Sequence, residues 1–209
     1  MWKSSDTSAI HPGRILGELR SRFSQFRGFE PNDVQEVVLC IIDVFEKSLG
    51  DEWIKKHLYG KSKSTVTWSD GSSETSELFA CRMLEQDEHP LSIRETKIQG
   101  YVDAQNNTWD EATIRVSPDS LGTILMVSFN MYNSKNNVTL PLEFSFGGKI
   151  YKLFSAALHL GSHLGGHYAA IVCHKGKWVI KDDCTIIEIN EFRPEGPYYF
   201  AMYKRLVSP

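Results

Sequence analysis

The residues best suited to chemistry in this chain lie on two short apolar runs near its C-terminal end. His167 follows a glycine pair and opens the first run, and Asp182 ends the second run, which begins at Lys177. The Gly-containing turn at Lys175-Gly176 between the runs predicts a β-hairpin. In that register His167 is diagonal to Asp182 on one face, at a Cα separation of about 7–8 Å. An imidazole and a carboxylate at this spacing can form a hydrogen bond.

The prediction depends on register, and two alternatives stay open. A slip of one residue would place His167 and Asp182 on opposite faces, and the pair can also be incidental on a surface hairpin. The assumed register also places Cys184 across from His167. A thiol on a strand has no helix N-terminus to lower its pKa and no evident oxyanion hole, so we do not predict Cys184 as a nucleophile.

Composition excludes several functional classes. The 209 residues carry a formal charge of −3 and no long basic run, and the five tryptophans are not interleaved with basic residues, which argues against nucleic-acid binding. The N-terminus has no apolar signal region, and no apolar run is long enough to span a bilayer. The four cysteines are scattered without a Cys-x-x-Cys pair, so we expect no metal, no cofactor and a reducing compartment, cytoplasmic or nuclear.

Two helices are predicted near the N-terminus, after a flexible segment at residues 1–11. Apolar residues from Ile15 to Phe26 follow a helical stripe. A second, stronger helix runs from Val34 to Leu49, with Asn32 as its expected N-cap and Gly50 as its stop. Asp33 and Glu36 lie in its first turn, where they either stabilise the helix dipole or face a cleft and hold a cationic ligand group.

After a short helix predicted around Trp53 and Ile54, the residue pattern of the rest of the sequence predicts strands. The expected strand pieces are Ser64–Trp68, Leu78–Leu84, Ile98–Val102 and Ala112–Val116, then Thr123–Met131, Val138–Phe144, Lys149–Leu158, the His167 and Trp178 runs, and Pro197–Arg205. Residues 96–101 are equally compatible with a helical turn.

Four segments resemble the ubiquitin-specific proteases, which are papain-like ubiquitin C-terminal hydrolases. Residues 26–38 resemble the Gln/Asp box that opens a central helix of that family, and residues 121–129 resemble a strand leading into its core sheet. Residues 151–168, ending in Gly165-Gly166-His167-Tyr168, are similar to the histidine box. Residues 177–205 resemble the closing strands, so the likeness extends over about residues 12–205.

The resemblance implies an α+β, papain-like ubiquitin-specific protease fold in a single domain at residues 12–209. Within it we expect a truncated helical thumb, reduced zinc-free fingers and an antiparallel palm sheet with the His/Asp hairpin, at residues 12–60, 61–116 and 117–209. His167 would be the general base and Asp182 the group that orients it. Asp33 and Glu36 would line the channel for the arginine-bearing tail of ubiquitin, with Tyr168 beside that channel.

The family's nucleophilic cysteine is missing at the expected place. It belongs to a box upstream of the Gln/Asp box, and none of the residues before that box is cysteine here. The zinc-binding cysteines of the fingers are missing as well. We therefore predict a pseudo-deubiquitinase that has lost its nucleophile and serves as a ubiquitin-binding or protein-binding scaffold subunit.

Two other functions remain open. The first is an active cysteine-type deubiquitinase, with the cysteine supplied by another chain or by a missing segment. The second is a purely structural subunit of a large assembly, since a truncated thumb would expose an apolar patch that a partner covers. The expected partners are ubiquitin, a ubiquitin-like protein or other subunits, with no nucleic acid and no membrane.

Overall fold

The structure is a computed structural model that describes residues 13–28, 31–131, 137–162 and 165–206. The segment predicted to be flexible, residues 1–11, lies outside these ranges. The chain divides into two units, Met1–Asp51 and Glu52–Pro209, and each is described by itself. In the described ranges, no helix is both long and apolar enough to cross a membrane.

The first unit is built from two helices, as predicted. Helix α1 (Gly13–Arg22) is followed by a 3₁₀ turn at Ser24–Phe26 and by helix α2 (Val34–Leu49). Apolar side chains recurring at helical spacing on both helices form a small core around Leu19, Phe26 and Val44. Helix α2 stops at Gly50, whose φ of 86° favours glycine.

The N-cap of α2 is Asp33, so the prediction of Asn32 was wrong by one residue. Asp33 has extended backbone angles, and its Oδ1 accepts hydrogen bonds from the backbone N–H groups of Gln35 (2.7 Å) and Glu36 (3.2 Å). Asn and Asp cap helices about equally well, so composition alone could not choose between adjacent candidates. Asp33 is therefore fixed at the helix start by its own carboxylate.

The second unit consists mainly of strands. Helix α3 (Asp51–Leu58) precedes them and matches the predicted short helix. The strands are β1 (Gly60–Trp68), β2 (Gly71–Phe79), β3 (Cys81–Leu84), β4 (Arg94–Val102), β5 (Thr108–Ser120), β6 (Ile124–Phe129), β7 (Val138–Thr139), β8 (Glu143–Phe146), β9 (Lys149–Ser162), β10 (Gly165–His174), β11 (Lys177–Asp182), β12 (Thr185–Ile189), β13 (Glu195–Gly196) and β14 (Tyr198–Arg205).

A four-stranded antiparallel sheet has the order β2-β1-β5-β4. One face carries cross-strand ion pairs, which suit a solvated surface: Lys63–Glu74, Lys97–Glu111 and Arg115–Glu95. Residues 96–101 belong to β4, which excludes the alternative of a helical turn. The predicted single strand at residues 78–84 was wrong, because the chain bends at Ala80 and its second half, β3, joins another sheet.

The larger sheet positions the candidate site. Its order is β12-β11-β10-β9-β14-β6-β3, with β8 also paired to β9, and all pairs are antiparallel except β3 with β6. Side chains from β6, β9 and β14 fill its core, where Val127, Leu153 and Tyr203 are almost completely buried. The central strands are therefore fixed by packing, and β10, β11 and β12 extend from them toward one edge.

Two further strand predictions needed correction. Residues 138–144 form two separate strands, because Pro141 cannot donate a ladder hydrogen bond and the chain turns between β7 and β8. Strand β12 was not predicted at all, although Thr185-Ile186-Ile187 has the composition of a strand. A small two-stranded pairing of β7 with β13 completes the described topology.

Candidate functional site

The β10–β11 hairpin has the predicted register. His174 pairs with Lys177 and Ala170 with Lys181 across a two-residue turn. Lys175 and Gly176 have φ values of 50° and 81°, the left-handed pair that a tight hairpin turn requires. Continuing this register places residue 169 opposite Asp182, so His167 and Asp182 lie on the same face.

That face is the core face of the sheet. Ala169 and Ile171 follow His167 at every second position of β10, so their side chains are on the same face as the imidazole. Both are almost fully buried, at 4% and 3% exposed. His167 itself lies where the buried core ends, and its side chain is 45% exposed. The imidazole of His167 therefore lies on the core face of the sheet, at the end of the buried core, and remains accessible to solvent.

His167 and Asp182 are in direct contact. The Nε2 atom of the imidazole donates a hydrogen bond to Oδ1 of the carboxylate. This hydrogen bond, with the negative charge of Asp182 and a smaller contribution from Asp183, raises the pKa of His167 against the opposing effect of desolvation. A carboxylate that fixes one ring nitrogen orients the imidazole and leaves Nδ1 as the nitrogen that could exchange a proton with another group.

A second tight turn follows Asp182 directly. Strand β11 ends at Asp182, which pairs with Thr185 of β12, so Asp183 and Cys184 form the turn and Asp183 has a φ of 48°. The expectation that Cys184 faces His167 was therefore wrong, because the chain reverses before the ladder reaches that position. The turn instead brings Asp183 beside the pair, and the donor atoms of His167, Asp182 and Asp183 all lie within 4.8 Å of one another.

The glycine pair before His167 allows the two strands β9 and β10 to approach closely. Gly166 pairs with Gly161, and a Cβ on Gly166 would collide with Nε2 of His159 and lie 2.8 Å from the carbonyl oxygen of Leu160. A Cβ on Gly165 would meet nothing within 4 Å. Only the second glycine is therefore required for the packing that holds His167.

Tyr168 points to the other face of the sheet, as the alternation of a strand demands. Its ring contacts those of His159 and Tyr199, with centroids 4.8 Å and 5.8 Å away. This cluster of three rings was not predicted: His159 lies directly opposite Tyr168 in the β9–β10 pairing, whose register was not predicted, and Tyr199 belongs to β14, which is remote in sequence. The cluster fixes the ring of Tyr168 on the face opposite to His167.

Asp33 and Glu36, the other predicted site residues, belong to the first unit. Asp33 caps α2 as described above, and the exposed Glu36 accepts a hydrogen bond from Nε2 of Gln25 at 3.2 Å. The structure thus gives Asp33 a structural role in its own unit and leaves the carboxylate of Glu36 at the surface. The predicted role of both in binding a ubiquitin tail stays a prediction.

None of the four cysteines forms a disulfide bond, and each lies on a different element or turn. Cys40 is in the middle of α2, Cys81 begins β3, and Cys184 is exposed in the second turn. Cys173 is on β10, six residues from His167, or about 20 Å at ~3.3 Å per residue. Among the described residues, no cysteine sulfur joins the group of donor atoms around His167.

Comparison with known proteins identifies the family. A profile of the family described as ubiquitin carboxyl-terminal hydrolase matches residues 1–203. The chain belongs to this family. This match confirms the resemblance noted in the sequence. Members of the family are cysteine-type deubiquitinases. No curated protein sequence matches the chain significantly in a direct comparison.

Solved structures confirm the α+β fold of this family. One similar chain comes from the SAGA Ubp8/Sgf11/Sus1/Sgf73 DUB module bound to ubiquitin aldehyde, with a TM-score of 0.76, 16% identity and coverage of 93% of this chain and 54% of that one. Another comes from the SAGA module with a Cys→Ala substitution in Ubp8, bound to monoubiquitin, with a TM-score of 0.75, 16% identity and coverage of 93% and 53%. The chain spans about half the length of these neighbours.

Proposed function

We propose that this chain binds ubiquitin through its family fold and does not hydrolyse ubiquitin conjugates on its own. The observation that carries the proposal is a half-complete site: His167 and Asp182 are assembled, and no cysteine sulfur of the described chain lies with them. A general base without a thiol to deprotonate has no nucleophile to activate. The chain would then act as a pseudo-deubiquitinase, a binding or scaffold subunit.

The neighbours support ubiquitin as the ligand. Both were solved with ubiquitin or ubiquitin aldehyde bound, together with the subunits Sgf11, Sus1 and Sgf73. By analogy, the chain would bind ubiquitin or a ubiquitin-like protein and pack against other subunits. Its four cysteines form no disulfide, which agrees with a reducing compartment, cytoplasm or nucleus.

The proposal retains the three parts inferred from the resemblance. Residues 12–60 would be the remnant of the thumb, residues 61–116 the fingers and residues 117–209 the palm. Asp33, Glu36 and Tyr168 would line the path of the ubiquitin tail, where carboxylates form charge-assisted hydrogen bonds to arginines. Of these groups, the carboxylate of Glu36 is the most exposed side chain and therefore the most direct to test.

Titration of ¹⁵N-labelled ubiquitin with this protein should shift the amide resonances of the ubiquitin C-terminal tail. Glu36→Gln and Asp33→Ser should each weaken binding roughly 5–30-fold, the equivalent of about 1–2 kcal/mol for a lost charge-assisted hydrogen bond. Serine is chosen at position 33 because it removes the charge and still caps α2. Alanine there would destabilise the helix and confuse the result.

Asp43→Asn is the matched control for these variants. Asp43 lies on the same helix and forms an ion pair with Lys47 (2.7 Å), so this substitution removes one negative charge from α2 away from its first turn. It should leave ubiquitin affinity unchanged. Absence of any shift at high protein concentration would contradict the proposal and favour a purely structural subunit.

The chain alone should leave a fluorogenic ubiquitin C-terminal substrate intact. The physical reason is the missing thiol beside His167, since an imidazole–carboxylate pair alone forms no acyl intermediate. Turnover that is abolished by His167→Ala would overturn this prediction. Turnover that is also abolished by Cys184→Ser would identify the exposed thiol of the second turn as the nucleophile.

A second candidate function is an active deubiquitinase completed from outside this chain. The intact contact between His167 and Asp182 favours it, because a pure scaffold has no chemical need for that contact. One neighbour was solved with a cysteine of Ubp8 replaced by alanine, and this chain spans only about half of that protein. Labelling by a ubiquitin vinyl sulfone probe in the presence of a polypeptide with a Cys-bearing helix, but not in its absence, would support this candidate.

A further inference from the structure

The tertiary structure brings three metal-ligating side chains together at the end of the β10–β11 hairpin. His167 is held on β10, Asp182 is the last residue of β11, and Asp183 is the first residue of the following turn. Each offers one donor atom, and these atoms all lie within 4.8 Å of one another. A nitrogen donor with two carboxylate oxygens is a ligand set that zinc and other divalent first-row ions accept, whereas calcium and magnesium prefer oxygen donors alone.

The spacing of the donors is close to what one ion requires. Donors bound at about 2.0–2.2 Å to a single zinc ion lie roughly 3–4 Å apart. The side chains of His167 and Asp182 are 45% and 43% exposed. Small rotamer changes that move their donor atoms by about an ångström therefore meet little resistance from packing. An ion could therefore enter between the imidazole and the carboxylates without moving the strands that carry them.

The charge around these donors favours a cation. Across the described ranges, Asp183 forms no salt bridge with a lysine or arginine, and the one ion-pair partner of Asp182 is the imidazole itself. Lys181 is adjacent in sequence but pairs with Ala170 and Ile186, and strand alternation places its side chain on the other face. The ion would displace the proton that His167 donates to Asp182, and the three donors would then carry two negative charges without a lysine or arginine among the described residues to balance them.

We propose that His167, Asp182 and Asp183 form an exchangeable binding site for a divalent transition-metal ion of the Zn²⁺ type. Three protein donors leave at least one position for water, as in open zinc sites rather than closed structural ones. The cysteine spacing that led us to expect no metal does not bear on this site, because its donors are a histidine and two aspartates. The inference is independent of ubiquitin binding.

The test uses the full chain, purified in EDTA and then freed of it. Titration with Zn²⁺ by calorimetry, and with Co²⁺ by its visible absorption, should give one binding event per chain. His167→Gln and Asp183→Asn should each weaken binding at least about tenfold, because each removes a direct ligand. Circular dichroism should show that both variants keep the fold, since the two side chains are substantially exposed.

Asp70→Asn is the matched control, because Asp70 is also an exposed aspartate in a two-residue hairpin turn, between β1 and β2. It should bind Zn²⁺ like the unmodified chain, and so should Cys184→Ser, which removes the neighbouring thiol. The proposal would be overturned if neither ion bound, or if His167→Gln and Asp183→Asn bound Zn²⁺ as tightly as the unmodified chain does. Loss of binding in Cys184→Ser would show that the donor set is wrong.

Discussion

Gly166→Ala is expected to destabilise the protein and disturb His167, although it adds a single methyl group. The new Cβ would lie 2.8 Å from the backbone carbonyl of Leu160 and collide with the ring of His159. Overpacking of this kind costs about 1–3 kcal/mol. The midpoint of thermal unfolding should therefore fall by about 2–12 °C, at roughly 2–4 °C per kcal/mol for a chain of this size.

The adjacent glycine provides the control. Gly165→Ala introduces a Cβ into open space and should leave the midpoint of unfolding within about 2 °C, since surface substitutions change stability by only about 0.5 kcal/mol. The pair separates a packing requirement from any general effect of replacing glycine in β10. Equal midpoints for the two variants would show that β9 and β10 leave room for a Cβ at Gly166.

Asp182→Asn is expected to return the pKa of His167 toward its ordinary value of 6.5. Asparagine keeps an oxygen that can accept the hydrogen bond and removes the charge that favours the imidazolium form. The titration of the imidazole C–H resonances by NMR, with EDTA present, measures the change directly. In the unmodified chain the midpoint should lie above 6.5, and in the variant it should be lower.

Asp183→Asn serves as the matched variant for this experiment. Asp183 raises the pKa of His167 only through its charge and is the smallest of the contributions, so its removal should lower the midpoint less than Asp182→Asn does. A larger effect from Asp183→Asn would mean that the hydrogen bond of His167 has been assigned to the wrong carboxylate.

The same contact has a consequence for stability. Because the pKa of His167 is raised in the folded state, its extra proton stabilises the fold below the pKa of the unfolded chain, and this contribution disappears as pH rises through the raised pKa. The difference in the free energy of unfolding between the unmodified chain and Asp182→Asn should be larger at about pH 5.5 than at about pH 9.

Helix α2 and the β10–β11 hairpin could be predicted from the sequence because both depend on neighbours in the chain. The apolar spacing from Val34 to Leu49 and the stop at Gly50 follow from helical periodicity and the left-handed backbone that glycine accepts. The turn at Lys175-Gly176 fixed the register, and with it the face shared by His167 and Asp182. These local rules also supported the resemblance that led to the correct family.

The tertiary structure decided what no local rule could. Strand β3 leaves its predicted continuation with β2 and pairs in parallel with β6, because the larger sheet offers it a buried position, in which Leu84 is fully enclosed. The rings of His159 and Tyr199 reach Tyr168 only because β9, β10 and β14 pack near one another. The contact with Tyr199 and the pairing of β3 with β6 both join strands that are remote in sequence.

The immediate surroundings of His167 combine both kinds of information. The sequence identified His167 and Asp182 as partners, whereas the second turn moved Cys184 away from them and brought Asp183 close. A two-residue turn reverses the chain, so ending β11 at Asp182 replaces the thiol expected opposite His167 by a carboxylate. Local turn chemistry thus determined the His/Asp pair, and the closing of β12 onto β11 decided which third group lies beside it.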